Sequence, residues 1–413
     1  MCKMAHFGNC DPETADQEYC IFHKPDKTEE EAVEFYRKFL ERFEHEIILG
    51  IRHPAVINSV VFKEELHCEG FVFPRNLPNN FELGVDLWWG TVFEENAIFS
   101  EATFEGYALF AGAKFNAEAW FDKVVFQDHA NFVGATFKGL TMFSEAYFED
   151  EADFMGATFE SVVMFDRAIF KGDVNFNETT FEEVPEFTGK WKAEKYKFYG
   201  GLNFSHADIR KGININIPSE WFKLPEAEIE ARRVQRLSYE KEGKRDEADR
   251  MFVLERRAYR KVLKNRAKEK YSNAKMPYQK FEAILFLIYV YISTAIEAIL
   301  ADWISLYGTS WGRIILSSFW VITVNAILYQ ALSHFSHVVI LGIPIGTIYT
   351  NGASEGIPGL LNALYYSLVT FTTLGYGDMH PTGWLKALSA IEALTGAVFM
   401  ALIVAVIARK WMR

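Results

Sequence analysis

The sequence lacks the patterns on which most enzymes depend. Its 413 residues contain no glycine-rich loop of the kind that cradles phosphate, no plausible pairing of a nucleophile with a base, and no nucleotide-binding pattern. No secretory signal is recognised at the start of the chain. We therefore expect a protein without enzymatic activity.

Basic residues are absent from one stretch and scarce over half of the chain. Residues 335–358 contain no Lys or Arg, and residues 1–220 carry 20 Lys and Arg against 39 Asp and Glu. Acidity of this kind is a solubility signal in most domains. By contrast, the stretch from Arg256 to Lys280 is basic, and Arg409, Lys410 and Arg413 end the sequence. Charge is therefore strongly segregated along the chain.

Cysteine is also scarce, and three of the four Cys residues lie in the first 20 positions, the fourth being Cys68. Cys20 and His23 stand three residues apart, which suits chelation, and Cys2 and Cys10 complete a Cys₃His set for tetrahedral zinc. We expect residues 1–27 to form a zinc module, because so short a segment has no core of its own. His6 is an alternative ligand, and separate free thiols or a disordered start are the alternatives to zinc. Reduced thiols also agree with a cytosolic location.

Phenylalanine is abundant and recurs at a fixed spacing. From residue 93 to residue 187, successive Phe residues are alternately six and five positions apart, which gives an eleven-residue period. Two positions before each Phe from 99 onward stands a small or β-branched residue, and eleven of these seventeen are Ala. Neither a helix, with roughly 3.6 residues per turn, nor a strand, with roughly 2.0, fits such a step. A four-sided coil fits, with Phe and the small residue inward and residues such as Glu101 and Lys114 outward.

This run resembles the pentapeptide-repeat family, in the variant whose units alternate between five and six residues. The resemblance implies a right-handed quadrilateral β-helix, which we place at residues 57–217 with its irregular flanking turns. Its interior should be filled by Phe side chains, so we expect no ligand pocket inside it. A role in assembly, gating or partner binding is the one we favour for this domain.

Charged residues dominate the segments on either side of the repeat. We expect a helix over residues 28–52 and a charged helical hairpin over residues 219–273, with its break near residues 242–246. The hairpin is placed to transmit movement of the repeat domain to the C-terminal region. Its basic stretch, Arg256 to Lys280, is a candidate to touch anionic lipid head groups.

Two apolar runs near the C-terminus are each close to the length of a membrane span. They extend from Ile314 to Leu332 and from Ala387 to Ala408, and a span needs about 20 residues. Between them, residues 359–371 are apolar but long enough only for a half-membrane helix. Its C-terminal dipole would favour a cation at the segment that follows, Thr372 to Asp378. There Gly alternates with larger residues, so that successive carbonyl oxygens can line one axis.

The order of outer helix, pore helix, filter and inner helix resembles the two-transmembrane-helix potassium channel family, over about residues 312–413. The resemblance implies that K⁺ is held by the carbonyls of Thr373, Leu374, Gly375 and Tyr376 and by the Thr373 hydroxyl. Gly375 and Gly377 would supply special backbone angles, and Asp378 would lie at the outer mouth. Leu374 stands where the family usually has Val, which we interpret as a change in packing. One chain supplies a quarter of such a filter, so the resemblance implies a C4 homotetramer.

The inner helix contains two further candidates, both for gating. Gly396 lies midway along it, where Gly costs about 1 kcal/mol relative to Ala, so a hinge or a close helix contact should justify it. Glu392 lies at membrane depth, where a carboxyl group must face protein or a water-filled cavity. We favour a role in bracing the back of the filter, with a protonated and packed Glu as the alternative.

Charge sets the expected orientation. Since the outer mouth of a filter faces the exterior, residues 335–358, which contain no Lys or Arg, lie outside and both basic flanks lie inside. We expect a multi-pass protein of the cell membrane with cytoplasmic N- and C-termini. The apolar helix at residues 281–307 is difficult to place, because the N-terminal half would be outside if it spanned. We favour an interfacial or protein-buried helix, although an interfacial helix should have a polar face and this one has little before Glu297.

Taken together, these patterns predict a tetrameric potassium-selective channel with a cytoplasmic β-helix. The alternatives are a membrane-anchored pentapeptide-repeat interaction protein with a vestigial pore, and a weakly selective cation channel. Some pentapeptide-repeat proteins resemble duplex DNA, but a tether to a channel does not suit that role, and we expect no nucleic acid partner. Voltage gating is not expected because no Arg-rich spanning helix is present. The gating stimulus stays open.

Overall fold

A computed structural model describes residues 1–52, 55–75, 87–189, 197–350 and 359–411. The chain divides into two compact units, Met1–Arg266 and Ala267–Arg413. The last part of the stretch without Lys or Arg, residues 351–358, and the terminal Arg413 lie outside the described residues.

The N-terminal unit begins with a short 3₁₀ turn at Ala5–Phe7 and helix α1, Glu29–Arg42. Thr28 and Glu31 form a capping box that satisfies free backbone groups at the start of α1. The helix expected over residues 28–52 is only partly present, because strand β1, His45–Arg52, follows α1 and pairs antiparallel with β2, Ala55–Phe62. The reason lies in β-branched residues such as Ile47 and Ile48, which favour strands over helices.

The following strands are nearly all two residues long, as expected for a coil with four short faces. In chain order they are β3 (Leu66–His67), β4 (Val72–Phe73), β5 (Val92–Phe93), β6 (Ala97–Ile98), β7 (Thr103–Phe104), β8 (Ala108–Leu109), β9 (Lys114–Phe115), β10 (Ala119–Trp120), β11 (Val125–Phe126), β12 (Ala130–Asn131), β13 (Thr136–Phe137), β14 (Thr141–Met142), β15 (Tyr147–Phe148), β16 (Ala152–Asp153), β17 (Thr158–Phe159), β18 (Val163–Met164), β19 (Ile169–Phe170), β20 (Val174–Asn175), β21 (Thr180–Phe181), β22 (Leu202–Asn203) and β23 (Asp208–Ile209).

These strands stack into four parallel sheets, one for each face of the coil. The orders are β3-β6-β10-β14-β18, β4-β7-β11-β15-β19, β8-β12-β16-β20-β22 and β2-β5-β9-β13-β17-β21-β23, with β1 added at the edge of the last. Ala119 pairs with Ala97 on one side and Thr141 on the other, so one coil takes 22 residues in this register. The predicted quadrilateral β-helix is confirmed as a β-solenoid.

Phenylalanine fills the interior as four ladders. Phe115 stacks on Phe137 with ring centroids 4.7 Å apart, and Phe121 stacks on Phe143 at 5.0 Å. Neighbouring ladders meet edge to face, as Phe132 does with Phe143 at 5.5 Å, which is a favoured arrangement of aromatic rings. The small residues between the rings are buried, whereas Glu101 and Lys114 are exposed, as the pattern predicts.

Other elements cover both ends of this ladder core. At the N-terminal end, Phe22 stacks on Phe71 at 4.6 Å, and Phe39 of α1 meets Trp88 edge to face at 5.6 Å. At the C-terminal end, helix α2 (Pro225–Lys241) follows a 3₁₀ turn at Ser219–Trp221. The Gln235 amide donates to the carbonyl oxygen of Ile213 at 2.8 Å and accepts from the backbone N–H of Ile215 at 2.7 Å.

A second charged helix, α3 (Arg245–Asn273), runs back along α2 after a turn at Gly243, which has φ +73°. Within the N-terminal unit, Arg236 of α2 pairs with Glu255 of α3 at 3.0 Å, and Lys261 pairs with Glu228 at 3.0 Å. The helical hairpin expected over residues 219–273 thus appears as two paired helices.

The C-terminal unit is mostly helical. Helix α4 (Pro277–Glu297) continues as a π-helical segment, Ala298–Trp303, and is followed by α5 (Trp311–Ser333), α6 (Leu360–Phe371) and α7 (Leu385–Trp411). It also contains a small hairpin of β24 (Val339–Ile340) with β25 (Ile343–Pro344), and an antiparallel pair of β26 (Ile348–Thr350) with β27 (Met379–Pro381), between which α6 lies in the sequence.

Three described helices are long and apolar enough to cross a membrane, namely Pro277–Trp303, Trp311–Ser333 and Leu385–Ala408. The first of them includes most of the segment for which an interfacial or protein-buried position is expected above. Beyond Glu282 its exposed side chains, such as Tyr289 and Leu300, are apolar, whereas an interfacial helix should present a polar face. By length and composition, a spanning position fits it as well.

Candidate functional site

The short helix α6 is held between the two long helices α5 and α7. Its side chains Ala363, Tyr366 and Ser367 are buried, and the Ser367 Oγ atom lies 2.9 Å from the Ile322 carbonyl oxygen of α5. The backbone N–H of Thr373 donates to Thr370 O at 3.1 Å, so the next segment starts directly from the helix end. The residues predicted as a filter therefore follow a firmly packed short helix.

The backbone from Thr373 to Gly377 adopts positive φ at every second residue. Thr373, Gly375 and Gly377 have φ of 58°, 54° and 78°, and the residues between them do not lie in the left-handed region. A β-branched residue with positive φ is an outlier and costs about 1–3 kcal/mol, a strain that is characteristic of functional sites. The Leu374 and Tyr376 side chains are 60% and 68% exposed in the single chain.

The outer end of this segment is tied to its surroundings. The Asp378 carboxylate lies near the Tyr365 hydroxyl of α6. Directly afterwards, β27 pairs with β26, with Tyr349 opposite His380. The chain is therefore fixed on both sides of residues 373–378.

Behind the segment, Glu392 of α7 is the centre of a polar network in an otherwise apolar bundle. The Glu392 side chain is buried, and its carboxylate accepts hydrogen bonds from Tyr329 of α5 at 2.6 Å and from Ser367 of α6. The Ser389 hydroxyl lies 3.2 Å from that of Tyr329 and 2.9 Å from that of Tyr366. Three helices thus converge on one carboxyl group.

Gly396 allows α7 to touch the last residue of α6. A Cβ atom added at Gly396 would lie 1.8 Å from the carbonyl oxygen of Phe371 and 2.6 Å from its carbonyl carbon. A hinge and a close helix contact were the two reasons proposed for a glycine at this position. The structure shows the close helix contact. That contact lies just before Thr372 and Thr373.

At the other end of the chain, the structure brings Cys2, Cys10, Cys20 and His23 together. One ligand atom from each can be chosen so that all lie within 4.8 Å of one another. The His23 Nδ1 atom is 3.8 Å, 3.7 Å and 2.9 Å from the sulfur atoms of Cys2, Cys10 and Cys20. His6 is not part of this cluster, and Cys68 is a separate buried thiol.

The chemistry of this cluster fits a metal ion. Burial lowers the pKa of the His23 imidazole to about 4, so the ring is neutral near pH 7 and can offer a lone pair. Burial also raises the pKa of the Cys10 thiol to about 12, so metal binding there would release a proton. The far ring nitrogen of His23 lies 3.4 Å from the Glu69 carbonyl oxygen, which suits the orienting contact that metal-bound His usually makes.

The N-terminal segment also shares the core of the solenoid. Cys2, Cys20 and Phe22 belong to the same buried cluster as Phe35, Phe71 and the Phe ladders. The segment therefore gains order from packing as well as from any metal.

Comparisons with known proteins agree with both halves of this description. Residues 327–413 match a family described as ion channel, and three stretches, 89–136, 99–146 and 143–189, match pentapeptide repeats. No curated protein and no solved structure gives a significant match. The chain is a membrane protein that carries an ion channel domain at its C-terminus and pentapeptide repeats that form a β-solenoid. Both families are of non-enzymatic kinds.

Sequence reasoning identified Glu392 but none of its partners. Tyr329, Tyr366, Ser367 and Ser389 come from three helices, so no spacing within one helix connects them. The available signal was weak, since it consisted only of polar side chains within apolar helices.

Proposed function

We propose that the channel is selective for potassium and works as a homotetramer. The observation that carries this proposal is the segment Thr373–Asp378, whose backbone has positive φ at every second residue directly after the C-terminus of a short helix. The helix dipole favours a cation at that point, and successive carbonyl oxygens can replace the water around K⁺. The ion is held by the carbonyls of Thr373, Leu374, Gly375 and Tyr376 and by the Thr373 hydroxyl.

A tetramer follows from the geometry of such a site. One chain offers one wall of carbonyl groups, so four chains around a C4 axis are needed to enclose the ion. The exposed filter segment of the single chain is then covered by its neighbours. Four Asp378 carboxylates surround the outer mouth and raise the local concentration of cations.

The test is flux through the purified chain in liposomes, measured for K⁺ and for Na⁺. The variant Gly377→Ala should abolish selective flux because a Cβ is strained at φ +78°. The control Gly312→Ala replaces a helical glycine that has open space around it, and it should conduct normally. Equal K⁺ and Na⁺ flux would indicate a weakly selective cation channel. A variant Gly377→Ala that stays as selective as the parent would refute the assignment of the filter.

We further propose that Glu392 braces the pore helix from behind. Its hydrogen bonds connect α5 and α6 to the inner helix α7, so a shift of α7 is passed to the helix that positions the filter. Glu392 and Gly396 are thus the residues through which gating movements reach the ion site. A test is whether Glu392→Ala changes the K⁺ to Na⁺ flux ratio, while Thr395→Ala, whose hydroxyl donates to the Ile391 carbonyl oxygen of the same helix, does not.

For the Cys₃His cluster we propose a zinc ion with a structural role. Cys2, Cys10, Cys20 and His23 supply the four ligands of a closed tetrahedral site. Zinc would join the first residues of the chain to the turn that precedes α1. Elemental analysis of the purified protein should give one zinc per chain, and a Cys20→Ser variant should give less than one. A parent protein without bound metal after purification in zinc-containing medium would contradict this assignment.

The orientation we propose is the one that the charges favour, in the cell membrane with both termini in the cytoplasm. It requires α4 to lie at the membrane surface or against neighbouring subunits, since three crossings would place the termini on opposite sides. Protease treatment of intact cells decides between the two arrangements. Cleavage of unit Met1–Arg266 from outside would show that α4 spans and would reverse the assignment of the N-terminus.

The β-solenoid is proposed to serve assembly, gating or partner binding. Its Phe-filled interior leaves its surfaces for contact with other molecules.

Anionic lipids are the expected partners of the basic stretch from Arg256 to Lys280. Replacing Arg256, Arg257, Arg260 and Lys261 with Gln should weaken binding to anionic liposomes, and unchanged binding would remove the lipid role. A flexible Gly-Ser insert at Gly243 that left gating unchanged would exclude transmission through the hairpin.

A further inference from the structure

An apolar hairpin projects from the segment between α5 and α6. It consists of residues 338–345 and contains strands β24 and β25, which are joined by a turn at Leu341 and Gly342 with φ of 50° and 78°. We call these eight residues the apolar hairpin.

The side chains of the apolar hairpin are unusually exposed for a segment of this composition. Leu341 at the tip is 88% exposed and Val339 is 60% exposed, and Val338, Ile340 and Ile343 are exposed as well. Residues 335–350 contain no Lys, Arg, Asp or Glu. A continuous apolar surface of this kind marks a contact with protein or with membrane rather than with water.

The base of the apolar hairpin is held firmly. The Trp384 indole N–H donates to the Ile340 carbonyl oxygen at 3.0 Å, and the Trp384 backbone N–H donates to Pro344 O at 3.1 Å. Backbones also approach closely here, because a Cβ at Gly346 would lie 2.2 Å from Thr382 O and one at Gly383 would lie 2.1 Å from Pro344 O. The hairpin is therefore fixed to the residues that lead into α7, while its tip is free of contacts of this kind.

These anchoring contacts place the apolar hairpin at one boundary of the membrane. The apolar span of α7 begins at Leu385, next to Trp384, and Trp is enriched where a membrane meets water. The exposed apolar surface of the hairpin is thus at the same level as the end of the lipid-facing surface of α7. Phe335, just beyond the end of α5, is also exposed.

We propose that the apolar hairpin inserts its side chains into the lipid bilayer at the filter side of the membrane. A lipid surface fits better than a protein partner, because the hairpin offers no charged group with which a protein could be selected. Buried in this way, Leu341 and Val339 add an anchor to the first turn of the inner helix. The inference requires only that α5 and α7 cross a membrane, so it stands independently of potassium selectivity.

The test uses a nitroxide spin label on a Leu341→Cys variant in liposomes of neutral lipid. Collisions of the label with oxygen, which concentrates in the bilayer, are compared with collisions with a water-soluble nickel chelate. Phe319→Cys, at an exposed apolar position within α5, serves as the membrane reference. Lys114→Cys, on the surface of the solenoid, serves as the water reference. The parent chain measures labelling of the four native Cys residues, and Val339→Cys gives a second position on the hairpin.

If the proposal is right, the oxygen-to-nickel collision ratio at Leu341 should be several-fold above that at Lys114 and should approach that at Phe319. A label at Leu341 that behaves like Lys114 would show a hairpin in water. A label that collides with neither reagent would show a hairpin buried against another subunit, and either result would overturn the proposal.

Discussion

Replacing Gly396 with Ala is the most discriminating change that the pore domain offers. The new Cβ would lie 1.8 Å from the Phe371 carbonyl oxygen, whereas Cβ atoms essentially never approach other atoms closer than 3.0 Å. Helix α7 must therefore move by about 1.2 Å or the end of α6 must shift by the same amount, since the atom in contact is backbone. Overpacking of this kind costs about 1–3 kcal/mol, and it acts one residue before the segment that leads into the filter.

The sign of the effect separates the two reasons proposed for this glycine. If Gly396 serves only as a hinge, Ala should stabilise the helix by about 1 kcal/mol because of its better helix propensity and should change gating alone. If the close contact dominates, Ala should destabilise the proposed tetramer and reduce the proposed K⁺ selectivity. Thermal dissociation of the tetramer and the K⁺ to Na⁺ flux ratio measure the two quantities, and Gly312→Ala is the control in an open helical position.

A tetramer of Gly396→Ala that is as stable and as selective as the parent would refute the packing explanation. That outcome would mean that the bundle relaxes around the added methyl group without reaching the filter. If Gly396→Ala loses only part of the stability, Gly396→Ser provides a second measurement. Because its side chain is slightly larger than that of Ala, it should lower the stability at least as much.

Three further predictions concern separate parts of the chain. Phe143→Ala removes a ring that is stacked on Phe121 and Phe165. It should lower the free energy of unfolding of the solenoid by about 3–5 kcal/mol, measured by denaturant titration. A loss below about 1 kcal/mol would contradict a close-packed ladder. Glu392→Ala should lower the thermal stability of the tetramer, because the buried Tyr329 hydroxyl then has one acceptor fewer, at a cost of about 1–3 kcal/mol. Glu392→Gln should retain most of the stability of the parent. An equal loss of stability in both variants would indicate that charge matters rather than hydrogen bonding. Metal binding is coupled to folding. Treatment with a chelator under reducing conditions should therefore make Cys20 reactive toward a thiol reagent and should lower the temperature of the first unfolding transition. Unchanged reactivity of Cys20 would argue against a bound metal.

The solenoid was predictable from the sequence because its signal is local and repeated. Each Phe at a step of five or six has the same environment one coil later, so a single rule describes about a hundred residues. The positive φ angles of Gly375 and Gly377 were predictable for a different reason, since Gly is the residue that adopts such angles without strain.

Other features could not be predicted from the sequence because they depend on contacts between distant segments. Residues 45–52 were expected to continue a helix, but β-branched residues such as Ile47 and Ile48 and pairing with β2 make them a strand. The network around Glu392 joins positions 63 residues apart, such as Tyr329 and Glu392. For α4, composition alone does not distinguish a surface position from a crossing, because both place apolar side chains in lipid.

The regular register of the solenoid makes its length adjustable. Each inner coil contacts only the coils before and after it, and both ends are closed by elements outside the repeat. A duplicated stretch of 22 residues would therefore lengthen the solenoid by about 4.8 Å without altering the Cys₃His cluster at one end or α2 at the other. Such a domain can act as a molecular ruler, whose span evolution or an experimenter can change one coil at a time.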